Sequence, residues 1–201
     1  MTTTSATIDL DQPVRQRNAF TDGVDAWLAH RGLDPNSQAL RGTPMRLFKA
    51  LNELTAGYDE DPAVLLSARF DVERSDEMIV VTGVPFTSLC EHHLLPFTGT
   101  ATIAYLPAPG AAVAGLSKLP RVLDAYARRL QVQEQLTRQV TTALDSHLDT
   151  DGSACVIRAV HGCLAHRGAR KPGSVMVTSS YTGRFQADID VRGELLAHIH
   201  D

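Results

Sequence analysis

Residues 88–97, SLCEHHLLPF, join the two stretches of sequence that decide the fold. Residues 77–90 (EMIVVTGVPFTSLC) and 97–107 (FTGTATIAYLP) are rich in valine, isoleucine, threonine and phenylalanine, which favour β-strands. Because the connection between them is short, we expect the two strands to pair as an antiparallel hairpin. The cysteine, the glutamate and the two histidines of the connection would then lie together at one end of a sheet.

Toward the C-terminus, two helices and two further strands follow this hairpin. Residues 117–130 (SKLPRVLDAYARRL) favour a helix, and the next helix carries an apolar residue at every fourth position. That stripe consists of Val132, Leu136, Val140, Leu144 and Leu148. Strands are predicted over residues 152–163 and 173–183, and a short closing helix over 191–200. The order β-β-α-α-β-β indicates an α+β fold, an antiparallel sheet with helices packed on one face.

Upstream of the hairpin the pattern is helical. Val24, Trp27 and Leu28 recur at helical spacing, and Gly32 is a good stop. A second helix is predicted in residues 43–54, TPMRLFKALNEL. We therefore expect three segments: a polar, mobile N-terminal tail (1–17), an N-terminal helical segment (18–66) and a sheet domain (67–201) that carries the candidate functional residues.

The amino-acid composition indicates a globular protein and argues against a membrane-spanning or nucleic-acid-binding protein. The chain has 201 residues, 43% of them hydrophobic and 21% charged, with a net charge of −4. These values are typical of a soluble globular protein, and a generally basic surface for nucleic acid is not expected. No apolar run is long enough to cross a membrane, and the first residues lack the apolar core of a secretory signal. Three cysteines without such a signal indicate reduced thiols, and hence a cytoplasmic location.

Two fragments of the sequence carry potential metal ligands. Cys90 and His93 form a C-x-x-H motif at the end of a predicted strand, and His161 and Cys163 form H-x-C at the end of another. Residues i and i+2 of a strand point to the same side, so His161 and Cys163 are expected to share a face. Two thiolates and one imidazole suit zinc.

The fourth position of such a metal site is left open by the sequence. With three protein ligands the site keeps a place for water, which is typical of a catalytic zinc centre. With His161 as a fourth ligand it would be a closed, structural site. Cys155 lies further back on the same strand and is expected to belong to the core.

Basic and amide-bearing residues near helix starts suggest a phosphate-rich ligand, although each alone is also typical of an ordinary surface. Exposed N–H groups and the helix dipole favour an anion at a helix start. The hydroxyl and basic candidates are Ser117, Lys118 and Arg121 in GLSKLPR, Arg167, Arg170 and Lys171 in HRGARK, and Arg46 and Lys49 on one face of the upstream helix. Gln133 and Glu134 open the striped helix, where a carboxylate can accept two N–H bonds from a guanine edge.

These motifs together are far more specific than any one of them. SLCEHHLLPFTGTATIAYLP, GLSKLPRVLDAYARRLQVQEQLTRQV, HGCLAHRGARK and TSSYTGRF occur in this order, and TPMRLFK precedes them. In this combination the chain closely resembles the zinc-dependent GTP cyclohydrolase I family, over roughly residues 20–199. The resemblance implies the tunnelling fold (T-fold), in which the sheets of several subunits close into a barrel. It also implies a homo-oligomer, usually a decamer of two pentamers, with active sites between subunits.

The resemblance also implies a role for each candidate residue. The zinc ligands would be Cys90, His93 and Cys163, and the proton-transferring histidines His92 and His161. Gln133 would lie near the reacting atoms and Glu134 would hold the guanine edge. The triphosphate and ribose contacts would be Ser117, Lys118, Arg121 and Arg167, completed by Arg46 and Lys49 of a neighbouring subunit.

The reaction implied is zinc-dependent hydrolysis of GTP at C8, release of formate and rearrangement to 7,8-dihydroneopterin triphosphate, the first step of tetrahydrofolate and pterin biosynthesis. Adjacent residues of an extended chain point apart, so His92 and His93 are expected to do different work. Three alternatives stay open: a paralogue serving deazapurine or other secondary products, a nitrile reductase on the same fold, and a non-catalytic module stabilised by zinc.

Overall fold

The structure, a computed structural model, describes residues 18–73 and 77–200. The tail predicted over residues 1–17 lies outside this range. The chain divides into two compact units, with the division between Glu53 and Leu54. The segment boundary predicted at residue 66 stays a prediction. None of the helices in the described ranges is long and apolar enough to span a membrane.

The first unit contains the two helices predicted upstream. Helix α1 (Ala19–His30) begins at a reciprocal cap, in which Asn18 and Thr21 each accept a hydrogen bond from the other's backbone N–H. The chain leaves α1 at Gly32, which has φ 76°, a conformation that glycine adopts without strain. Helix α2 (Thr43–Leu54) follows. Both predicted helices are therefore confirmed.

The second unit is built on a five-stranded sheet with the order β5-β2-β3-β6-β7. Its strands are β2 (Ile79–Cys90), β3 (Pro96–Pro107), β5 (Leu130–Gln131), β6 (Thr150–His161) and β7 (Met176–Tyr181), and a separate pair is formed by β1 (Arg69–Phe70) and β4 (Val113–Ala114). All pairings in the larger sheet are antiparallel except that of β2 with β5.

Helices connect and cover these strands. They are a 3-10 helix (Ala56–Asp59), α3 (Pro62–Leu65), α4 (Lys118–Ala127), α5 (Gln133–His147), α6 (Gly162–Ala165), α7 (Gly183–Ala187) and α8 (Ile189–His200). The α+β class, with helices packed on an antiparallel sheet, is confirmed.

The main core lies between the sheet and the helix pair α4 and α5. Leu123 of α4 and Val140 of α5 are fully buried against Ile103 of β3 and Ile157 of β6. Leu136, Val140 and Leu144 of the predicted stripe lie on the buried face of α5, because residues four apart lie on one side of a helix, whereas Val132 and Leu148 flank the helix. Cys155 is buried in this cluster, as expected.

A smaller core lies on the other face of the sheet. Ala104 and Leu106 of β3 contact Phe185 of α7 and Leu195 of α8. Successive strand residues point to opposite faces, so Ile103 and Ala104 serve different clusters. The closing helix, α8, thereby covers a face that the prediction left without helices.

The predicted hairpin is confirmed, with Ser88 of β2 opposite Phe97 of β3. The helix predicted over 117–130 is too long, because α4 ends at Ala127. Leu130 instead pairs with Leu89 in the parallel ladder of β5 and β2. Because of this pairing, α5 begins next to the end of β2, where the C-E-H-H motif starts.

Candidate functional site

A tight turn presents the C-E-H-H motif at the end of the hairpin. Cys90 closes the turn twice: its N–H donates to the carbonyl of Leu95 at 2.9 Å, and its own carbonyl accepts from the N–H of Leu94 at 2.8 Å. Leu94 has φ 52°, a left-handed conformation that costs a non-glycine residue about 1 kcal/mol. The turn therefore holds the side chains between these residues in a defined arrangement.

Cys163 reaches the same place from β6, but not in the way predicted. The strand ends at His161, and Cys163 lies in the one-turn helix α6. The expectation that His161 and Cys163 share a strand face is therefore wrong. The chain turns at Gly162, where an added Cβ would lie 2.8 Å from the carbonyl oxygen of Pro96. Only glycine allows the start of β3 and the end of β6 to come this close.

The two fragments meet in one group of potential metal ligands. Among the residues that the structure describes, Cys90, His93 and Cys163 bring their ligand atoms within 4.8 Å of one another. Burial raises the pKa of the Cys163 thiol, the neighbouring Cys90 raises it further, and Arg167 lowers it. Two thiols with an imidazole beside them match the donor set of a soft or borderline divalent cation.

His92, next to this group, has different surroundings. Its Nδ1 lies 3.9 Å from the sulfur of Cys90, and its Nε2 lies 3.7 Å from a carboxylate oxygen of Glu91. The side chain of His92 is 63% exposed. The ring planes of His92 and His93 are tilted by 73°, and the Nδ1 of His93 lies 4.0 Å from the same sulfur, so the expectation that the two histidines do different work stays a prediction.

His161 is held on two sides. Its ring stacks on that of Phe97, with centroids 4.5 Å apart and an angle of 3° between the planes. Its Nε2 lies 2.7 Å from Oε1 of Gln133. Burial lowers the pKa of His161, and the carboxylate of Glu134 opposes this shift. A neutral imidazole held in this way can take up a proton on its other nitrogen.

The start of α5 completes the constellation. The carbonyl of Gln131 accepts a hydrogen bond of 3.0 Å from the N–H of Glu91, which ties β5 to the turn. Gln133 and Glu134 are the first two residues of α5, the former buried and the latter exposed. The structure thus brings the predicted metal group, both predicted proton carriers and the predicted guanine ligand to one end of the sheet.

The residues predicted to contact the phosphates do not form one compact group as the metal ligands do. Ser117 directly precedes α4, where Lys118 is the first residue. Arg121 lines a surface cavity of about 190 Å³ that also contains the carboxylates of Glu60 and Asp124. Arg167 is exposed and close enough to Cys163 to lower its pKa.

Arg46 and Lys49 lie in the first compact unit. Both are exposed on α2, and the guanidinium of Arg46 donates to the hydroxyl of Thr43 at 2.9 Å. Their part in binding stays a prediction.

The sequence alone did not single out Phe97, which forms the stack on His161. Its signal was its position, as the first aromatic residue after the C-E-H-H turn, but only the β3–β6 register places Phe97 opposite His161. The sequence alone also did not single out Thr137 and Thr178, which contact Gln133.

Comparison with known proteins gives the family. The model of the GTP cyclohydrolase I family matches residues 20–200. The GTP cyclohydrolase 1 of Mycolicibacterium vanbaalenii is 48% identical over 165 residues, which are 82% of this chain and 81% of that protein. That of Janthinobacterium sp. is 43% identical over 193 residues, 93% and 96% of the two chains. The chain therefore belongs to the GTP cyclohydrolase I family, and its α+β architecture is that of the T-fold.

A third relative, the GTP cyclohydrolase 1 of Synechococcus sp., is 45% identical over 181 residues, covering 90% of this chain and 78% of that protein. Among solved structures, the archaeosine synthase QueF-Like in the apo form has a TM-score of 0.43 and 12% identity, over 53% of this chain and 93% of that chain. This last likeness is too weak to bear on function.

Proposed function

We propose that the protein is a GTP cyclohydrolase I. It hydrolyses GTP at C8, releases that carbon as formate and rearranges the remainder to 7,8-dihydroneopterin triphosphate, the entry to pterin and tetrahydrofolate biosynthesis. The observation that carries the proposal is the group of Cys90, His93 and Cys163 in a chain that belongs to this family over residues 20–200. The residues to which we assign proton transfer and guanine binding, His92, His161 and Glu134, lie at the same end of the sheet as this group, which supports the same reaction.

The cation that suits this group is zinc. Cys90, His93 and Cys163 would hold it, because thiolate and imidazole are its preferred protein ligands. Bound there, zinc supplies Lewis-acid activation of water near neutral pH. His161 hydrogen-bonds to Gln133, a contact that supports a role outside the metal group. The centre would therefore have three protein ligands, the catalytic alternative left open by the sequence.

The two remaining histidines carry the protons. His161 is neutral because burial lowers its pKa, so it takes a proton from the reacting nucleotide and returns it later. His92 is exposed beside the metal group and is the second proton carrier. Gln133 orients His161, and Phe97 keeps water from one face of that ring.

The residues around the proposed zinc centre bind the substrate GTP. Glu134, exposed in the first turn of α5, accepts two N–H bonds from the guanine edge. The basic and hydroxyl groups that hold the ribose and triphosphate are Ser117, Lys118, Arg121 and Arg167, with Arg46 and Lys49 of a neighbouring subunit. Such contacts fix C8 at the metal group, which lowers the barrier by positioning.

The proposed assembly is a decamer of two pentamers in which sheets of neighbouring subunits close a barrel and active sites lie between subunits. β7 supports this because it is an edge strand of the sheet, and its Val177 is 51% exposed. An edge strand presents backbone N–H and carbonyl groups that can pair with a strand of another chain. The enzyme is proposed to work in the cytoplasm.

A metal-loaded assay with a matched cysteine control tests the function. The protein is purified with zinc and given GTP, and the fluorescent pterin formed after oxidation is followed together with formate. Cys163→Ala is expected to lose zinc and both products, whereas Cys155→Ala is expected to keep them, because Cys155 lies in the core. Full zinc content with neither product would refute the proposal and favour a zinc-stabilised binding module.

A further inference from the structure

Gln133 is fixed so firmly that its amide can have only one orientation. Its Nε2 lies 3.2 Å from the carbonyl oxygen of Ile157, 3.1 Å from that of Met176 and 3.1 Å from Oγ1 of Thr178. Carbonyl oxygens only accept hydrogen bonds, so the NH₂ group must face them. Turning the amide over would place its oxygen against two carbonyl oxygens in a site where Gln133 is 1% exposed. Buried polar repulsion of this kind is costly.

Two threonine hydroxyls complete a closed ring of hydrogen bonds with Gln133. The hydroxyl of Thr137 donates to the backbone carbonyl of Gln133 at 2.7 Å. Its single proton is then used, so in the 2.6 Å contact between the two hydroxyls Thr178 is the donor. Oγ1 of Thr178 is thereby left as an acceptor for the amide of Gln133. The two hydroxyl protons each have one acceptor, the two amide protons are shared among three acceptors, and all of these contacts favour the same orientation of the amide.

The orientation of Gln133 decides which nitrogen of His161 carries the proton. With NH₂ turned to β6 and β7, Oε1 faces Nε2 of His161 at 2.7 Å. An amide oxygen only accepts, so Nε2 is the protonated nitrogen, and in the neutral ring Nδ1 has the free lone pair. We propose that Thr137 and Thr178 are positioning residues of the active site: through Gln133 they hold His161 as the Nε2–H tautomer and leave Nδ1 to exchange protons with the substrate.

This inference rests on the proposed function for the use of Nδ1, but the tautomer itself does not depend on it. The same helix and strand provide a control. One turn further along α5, the hydroxyl of Thr141 contacts that of Ser180 at 2.8 Å. Thr141 and Thr137 are each 1% exposed, yet Thr141 donates to the carbonyl of Arg138 and has no contact with Gln133 among those that the structure describes.

The kinetic test compares matched variants of the zinc-loaded enzyme. Thr137→Val and Thr178→Val are expected to lower kcat about tenfold or more, with KM for GTP within about twofold. Thr141→Val removes an equivalent buried hydroxyl and should lower thermal stability similarly while keeping wild-type kcat. Thr178→Ser keeps the hydroxyl and should restore turnover. A kcat for Thr137→Val and Thr178→Val equal to that of Thr141→Val would overturn the proposal.

The tautomer is measured directly by ¹⁵N nuclear magnetic resonance of histidine-labelled protein in the solid state, with the His161 signals assigned by their loss in His161→Asn. The expected wild-type signal has the proton on Nε2. Thr178→Val keeps the carbonyls of Ile157 and Met176 but loses one of the three acceptors that face the amide, so the Nε2–H fraction is expected to fall, with the Nδ1–H tautomer appearing as a minor signal. A wild-type neutral ring protonated on Nδ1 would overturn the inference even if every valine variant failed to fold. Absence of GTP turnover in a wild-type protein with the Nε2–H tautomer would instead refute the proposed function alone.

Discussion

The affinity of the Cys90–His93–Cys163 group for zinc is expected to fall steeply as the pH is lowered, and one part of that dependence belongs to Cys163. A thiol binds metal only after losing its proton. Burial and the neighbouring Cys90 raise the pKa of Cys163 above the usual thiol value. Cys163 is therefore protonated in the metal-free protein from about pH 6 to about pH 8, and each binding event must release its proton.

The size of this pH effect on zinc affinity follows from the release of one proton by Cys163 for each metal ion bound. Releasing one proton weakens apparent binding tenfold for each pH unit lowered, or about 1.4 kcal/mol. From about pH 8 to about pH 6 the contribution of Cys163 is therefore about a hundredfold. Cys163→Asp replaces the thiol with a carboxylate whose usual pKa is about 3.9, which is already ionised in this range. Its zinc affinity should be weaker, but its logarithmic pH slope should be smaller by about one.

The assay is a competition titration of metal-free protein against a chromophoric zinc chelator at several pH values, for wild type and Cys163→Asp. The comparison of slopes cancels the protons released by the other ligands. Identical slopes for the two proteins would mean that Cys163 does not bind the metal, and the proposed centre would be refuted.

Three further substitutions test the geometry of the site. Gly162→Ala should weaken zinc binding at least about tenfold, because the new methyl group would meet the carbonyl of Pro96 at 2.8 Å and displace Cys163; zinc content after dialysis measures this. His92→Ala should keep zinc and lower kcat about a hundredfold or more, so metal loss in this variant would reverse the assignment of the histidine pair. Glu134→Ala should keep its melting temperature, since Glu134 is exposed, while GTP affinity measured by calorimetry falls; unchanged affinity would remove Glu134 from the guanine site.

The hairpin and the helix stripe were predictable because each depends on residues close together in sequence. Alternation and β-branched residues favour β2 and β3, and a four-residue repeat of apolar side chains defines the buried face of α5. β5 was not predictable. It is two residues long, and its pairing of Gln131 with Cys90 depends on a parallel ladder between distant segments.

In the site, ligand types were easier to predict than backbone paths. Cys90, His93 and Cys163 were expected to meet and do meet. The path into Cys163 was wrong because a strand was extended through Gly162, whose close approach to Pro96 exists only in the folded chain. Local patterns cannot contain such a long-range steric requirement.

The hydrogen-bond ring around Gln133 could not be predicted for a similar reason. Thr178 lies more than forty residues from Gln133 and meets it because β7 pairs with β6 beneath α5. A threonine in a strand usually reflects β-propensity alone. Its use as an acceptor for a buried amide appears only when three elements are packed together.

The central claim, hydrolysis at C8 of GTP at this metal group, is tested most directly with GTP labelled with ¹³C at C8. Zinc-loaded protein is incubated with the labelled nucleotide, and the products are followed by carbon nuclear magnetic resonance. The proposed function predicts that all the label appears in formate, in an amount equal to the 7,8-dihydroneopterin triphosphate formed, with none released by Cys163→Ala. Label retained in the nucleotide product, or GTP left intact by protein that holds one zinc ion per chain, would contradict it.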